Sequence, residues 1–224
     1  MASRMIHLAV AGALAAELDI KDTDRFYFGH MLPDMIMGDY DIRLPLKQQT
    51  HFYTLLESGR KTYDFLAFYS DYKDKLSDML YLGYYFHLIE DDIFRQYLYY
   101  RVGLLKRRGE RELLDELYRD YHRLNPYLVK KYSLTLPTVP EGIENEDIYR
   151  RFDFTSDKWL EDMKGDFDDE PGELMHFTKE LIEEFIAECV TVITKEYSCM
   201  KNGEHHLDLE RYSIENYYKG VKRQ

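Results

Sequence analysis

Residues 80–94 read Leu80-Tyr81-Leu82-Gly83-Tyr84-Tyr85-Phe86-His87-Leu88-Ile89-Glu90-Asp91-Asp92-Ile93-Phe94. Within this stretch Leu80, Gly83, His87, Asp91 and Phe94, followed by Leu98, recur every three or four residues, which is the spacing of one helix stripe. A stripe otherwise apolar turns its His and its Asp toward the core. Burying an imidazole and a carboxylate is costly unless they are paired or bound to a cation, and an i, i+4 His/Asp pair can converge on one metal ion. A buried His–Asp hydrogen bond leaves the same trace, so the stretch alone keeps both readings open.

Working outward, the same period predicts helices over residues 3–18, a helix ending near Phe28, and helices over 61–69, 75–105, 110–131 and 173–197. No hairpin signal competes with them. Prolines at 33, 45, 126, 137, 140 and 171 are read as punctuation between helices, with 136–146 a connecting loop and 150–172 acidic and irregular. The predicted fold class is all-α: one domain of 224 residues with a helical insertion around 107–172.

Composition narrows the function classes. A formal charge of −12 argues against a polynucleotide partner, because phosphate backbones are gripped by clustered Lys and Arg. The one basic run, Lys106-Arg107-Arg108, is followed by Glu110, Glu112, Asp115 and Glu116 and reads as a solvated helix end. No segment approaches the roughly 20 continuous apolar residues of a membrane span, which predicts a soluble protein. Cys189 and Cys199 show no disulfide framework, pointing to the reducing cytoplasm. Residues 1–16 have the basic and apolar character of a leader, but His7 interrupts the apolar run, so the segment is read as a retained amphipathic helix.

Three further polar residues stand in apolar or turn contexts. His7 lies among Met5, Ile6, Leu8, Ala9 and Val10; Asp34 ends Gly29-His30-Met31-Leu32-Pro33-Asp34; His51 sits in Thr50-His51-Phe52. Singly, each fits a satisfied core histidine or a helix cap. In order, the motifs are a His in the first helix, Gly-x-x-x-Pro-Asp, Thr-His-Phe and Gly-Tyr-x-x-His-x-x-x-Asp. Together they resemble the zinc-dependent phospholipase C family, whose all-helical fold is shared with zinc-dependent single-strand nucleases. The resemblance covers the N-terminal 100 residues.

The resemblance implies metal ligation by His7, Asp34, His51, His87 and Asp91, with zinc as the cofactor and two or more ions; on this reading Asp34 or a metal-bound hydroxide serves as catalytic base. Iron and manganese suit the same donor types. It also implies a metal-dependent phosphoester hydrolase acting on a small phosphodiester or phospholipid head group. Such a cluster neutralises phosphoester oxygens without a protein nucleophile. His176 and Glu180 form a further candidate pair at the family's later His-x-x-x-Glu motif, although the period of their helix turns them to solvent. Where three-metal members carry another His, this chain reads Ile93-Phe94-Arg95-Gln96-Tyr97. The competing readings are a helical binding or scaffold module with a structural metal site, and a single-strand nuclease.

Overall fold

Two glycines set the central helix crossing. In the computed structural model α2 (Thr23–Met31) lies directly against α5 (Met79–Gln96). A Cβ on Gly29 would stand 2.1 Å from the Leu80 carbonyl oxygen, and one on Gly83 2.3 Å from that of Phe26. The Gly of each sequence motif is therefore a contact residue, which draws the His30–Asp34 segment onto the His87–Asp91 face. Gly83→Ala forces two backbones apart and is expected to destabilise the protein by about 3 kcal/mol, at the upper end of overpacking costs. Urea unfolding checks this, and an unchanged midpoint would contradict the close approach.

The structure describes residues 2–38, 40–152, 154–168 and 170–215, with 40–42 as backbone only. It is mostly helical. In α1 (Arg4–Glu17) Ser3 caps the helix by accepting from the Ile6 amide at 3.3 Å, and Met5 to Ala11 are all buried. Helix α1 packs on α2, α6 (Arg111–Tyr132) and α9 (Lys179–Met200), so the amphipathic helix read from sequence is a core helix. Helix α5, capped by Asp78, is buried from Leu80 to Arg95 on every face. No helix among the described residues is long and apolar enough to cross a membrane.

Several boundaries differ from the sequence reading. Residues 61–69 do not form one helix: β1 (Tyr53–Leu55) and β2 (Arg60–Tyr63) make a hairpin, joined by β3 (Ile214–Glu215) in an antiparallel β1-β2-β3 sheet. Gly59, at φ +77°, takes the left-handed conformation the turn requires. Asp64 then caps α4 (Phe65–Tyr72). A buried Asp92 clamps the hairpin to α5, accepting from Thr62 Oγ1 at 2.6 Å, the Tyr63 amide at 3.1 Å and Arg95 Nη1 at 2.8 Å. The run predicted over 75–105 ends as an α-helix at Gln96 and continues as a π-turn over Tyr97–Arg101 before Gly103.

Pro45 and Pro126 lie inside helices, in α3 (Tyr40–Thr50) and α6, rather than between them. Helix α9 starts at Lys179 because the buried Asp120 carboxylate captures the amides of Met175, His176 and Phe177 at 2.7–3.1 Å, holding them out of the helix. Its inward stripe is Ile182, Phe185, Ile186, Cys189 and Ile193; Leu181 and Val192 are half-buried. The sequence period puts this stripe on Phe177, Leu181, Phe185 and Val192; Phe177 precedes the helix, and the buried face is displaced from Leu181 and Val192 to Ile182 and Ile193. Residues 107–172 form α6, α7 (Asp147–Arg151) and α8 (Ser156–Met163), and Trp159 of α8 lies under the Arg4 guanidinium of α1 at 5.3 Å.

Candidate metal centre

His7 of α1, Asp34 at the end of the short turn after α2, His51 just after α3, and His87 and Asp91 of α5 meet in the core, none more than 5% exposed. His51 Nε2 lies 3.4 Å from Asp34 Oδ1, 3.3 Å from Asp91 Oδ2 and 3.2 Å from His87 Nε2. His7 Nε2 is 3.7 Å from Asp34 and 3.6 Å from Asp91, and its ring stacks on His87 at 4.2 Å between centroids. Asp34, His51 and His87 each offer a donor atom within 4.8 Å of the other two, and so do His7, His30 and His87.

The backbone fixes which nitrogen faces inward. His51 Nδ1 lies 2.8 Å from the Lys47 carbonyl, which can only accept, so Nδ1 carries the hydrogen. Its Nε2 lone pair then points at two carboxylates and another imidazole. A proton or a metal ion on that nitrogen turns its contacts with the two carboxylates from repulsive to attractive. Thr50 holds the segment by donating to the Pro33 carbonyl at 2.8 Å, and Tyr84 of α5 donates to the Thr50 carbonyl.

Unmet valence is concentrated here. His7 Nε2, His87 Nδ1 and Asp91 Oδ2 are buried without a hydrogen-bond partner, whereas buried polar groups are ordinarily satisfied. Asp91 Oδ1 accepts from the Ala2 amide at 3.0 Å. Burial by itself would discharge the site, but mutual attraction outweighs it at most positions. Against burial, the carboxylates of Glu90, Asp91 and Asp34 push His7 up to about 9. Likewise Asp34 and Asp91 raise His51. Despite burial, Lys47 with His51 holds Asp34 well below the carboxylate range, and the surrounding positive charge lowers Asp91. Burial and the nearby His7 hold His87 well below the ordinary imidazole value, so it is neutral.

Two groups that complete the cluster were not singled out as ligands from sequence. Glu90, fully buried, has Oε2 2.5 Å from His30 Nε2 and Oε1 3.0 Å from His7 Nδ1, the latter contact bent away from hydrogen-bond geometry. It lies behind His7 on the side away from the cluster, the position that carboxylates behind metal-ligating histidines take. The available signal is its i+3 spacing from His87, which makes the two neighbours along α5. Lys47, the other, donates to Asp34 Oδ1 at 2.8 Å.

His176 and Glu180 do not join this cluster. His176 precedes α9 and pairs with Glu116 at 2.8 Å, and Glu180 is exposed in the first turn, so the helical i, i+4 geometry is not formed. His122 is 43% exposed on its side chain and 3.9 Å from Asp166, while His205 is held by Glu196 at 2.7 Å. Asp34 is the predicted ligand that reaches solvent: with Lys47, Arg43, Tyr118, Asn125 and Trp159 it lines a cavity of about 570 Å³. Arg4 also lines it and pairs with Asp162 at 2.7 Å and Asp166 at 2.5 Å.

Comparison with family models, with curated proteins and with solved structures returned no match to this chain.

Proposed function

We propose that the protein is a metal-dependent phosphoester hydrolase, with zinc held by His7, Asp34, His51, His87 and Asp91 and a small phosphodiester or phospholipid head group as substrate. The observation that carries this reading is the His51–His87–Asp34–Asp91 constellation, with its unmet donor atoms, at the end of a cavity of small-molecule size. The ordered sequence motifs support it independently. Imidazole and carboxylate donors in this ratio fit zinc, with iron and manganese next. Such an ion supplies Lewis acidity and a more acidic coordinated water.

The chain's own residues do the rest. Lys47 and Arg43 give the cavity mouth a positive side for an anionic ester. Asp34, at the boundary between cluster and cavity, is placed to take a proton from an attacking water. Leu114, Tyr118 and Met37 offer apolar contact to the ester's organic part. Hydrolysis of chromogenic phosphodiesters is expected to be abolished by chelator and restored by zinc, and Asp34→Asn is expected to cut turnover at least 100-fold, the scale of a lost general base. Chelator-insensitive turnover, or none on a broad panel of zinc-loaded assays, would sink the reading.

A further inference from the structure

Lys47 stands where the cluster meets the cavity. Its side chain is 16% exposed, its ammonium rests on Asp34 Oδ1 at 2.8 Å, and Arg43, one turn earlier on α3, lines the same mouth. The other carboxylates lining the cavity among the described residues, Asp162 and Asp166, are committed to Arg4. An ion held by Asp34, His51 and His87 would engage the carboxylate that Lys47 now uses and set a second positive charge beside the ammonium. Like charges that close repel strongly away from bulk water. Among the described residues the cavity offers Lys47 no replacement carboxylate, so an anion from outside is what would balance it there.

We propose that Lys47 is an exchangeable cation: it pairs with Asp34 in the metal-free protein and turns to an anionic phosphoryl oxygen of the ligand when a divalent ion takes Asp34. This rests on the phosphoester reading and adds to it the side chain that grips the oxyanion. Lysine suits the task, since a compact ammonium on a flexible four-carbon stem can move between two acceptors with little backbone adjustment.

Calorimetry on the full chain tests both halves. Zinc is titrated into metal-free wild type, Lys47→Met and Lys47→Gln, and inorganic phosphate is then titrated into protein carrying stoichiometric zinc. Both variants are expected to bind zinc about tenfold more tightly and phosphate at least tenfold more weakly, because one charge opposes the first ion and attracts the second. Lys47→Arg is expected to keep phosphate affinity close to wild type. Opposite signs from one side chain are not produced by a merely structural lysine. Unchanged zinc affinity, unchanged phosphate affinity, or a zinc-loaded wild type that binds no phosphate would each overturn the proposal. Phosphate bound through Lys47 without phosphodiester turnover would overturn the hydrolase reading and leave this assignment standing.

Discussion

Asp91→Ala is expected to lose both bound metal and chelator-sensitive turnover, and to destabilise the metal-free protein by about 3–5 kcal/mol, the cost of stripping one partner from a buried charge pair. The carboxylate is fully buried between His7, His51 and His87, and its other oxygen takes the Ala2 amide. Without it, the positive charge that His7 carries in the metal-free protein keeps, among the described residues, Glu90 and Asp34 as counter-charges. Asp91→Asn separates the two effects. An amide oxygen preserves the contact to Ala2 and most of the packing, yet is a poor zinc ligand, so stability should recover partly while metal binding does not. Thermal unfolding and zinc titration of the two variants check this; an Asp91→Ala protein that retains wild-type zinc affinity would remove Asp91 from the ligand set.

Zinc affinity is expected to climb about tenfold per pH unit between pH 6.5 and 8.5 for each proton displaced, since the metal binds only unprotonated imidazole. His7 titrates near 9 in the metal-free protein, raised by Glu90, Asp91 and Asp34 against the effect of burial, so across this range it holds a proton that zinc must expel. An ordinary imidazole, titrating near 6.5, would give an affinity that levels off above pH 7. The sign for stability follows from the same shift. A histidine whose folded value lies above its unfolded one contributes stability that is complete below 6.5 and lost as the pH rises through 9, here about 3 kcal/mol. Metal-free protein should therefore lose this contribution on mild alkalinisation while the zinc-loaded protein does not. Competition titrations in zinc buffers at pH 6.5, 7.5 and 8.5 read the slope, and a flat profile would show that His7 is neutral in the cluster.

The residues that meet in the core were visible in sequence for a physical reason: each is a polar group in an apolar or turn context, where burial without a partner is costly. His87 and Asp91 share a helix face; His7 sits in a helix apolar on every side. Glu90 is not legible as part of the cluster because Asp91 beside it offers the more direct i+4 partner for His87, and Lys47 because α3 carries Pro45 and no clear apolar period. The motif glycines were visible as letters but not as contacts, since only the crossing of α2 and α5 shows that Gly29 and Gly83 meet the partner backbone. Strand β2 is not legible as a strand, because four residues are too few to establish period-two alternation and the turn at Gly59 is its one sequence marker. The delayed start of α9 depends on Asp120, more than 50 residues away, a tertiary contact that overrides local helix propensity.

Everything proposed above requires that His7, Asp34, His51, His87 and Asp91 hold a metal ion. The most direct test is elemental analysis of native, untagged protein beside a His87→Ala/Asp91→Ala double variant, quantifying zinc, iron and manganese per chain. At least one tightly held ion per wild-type chain is expected, zinc foremost, and none in the variant. Wild-type protein that is metal-free as isolated and stays so after reconstitution would contradict it and leave a buried His–carboxylate network as the whole of the site.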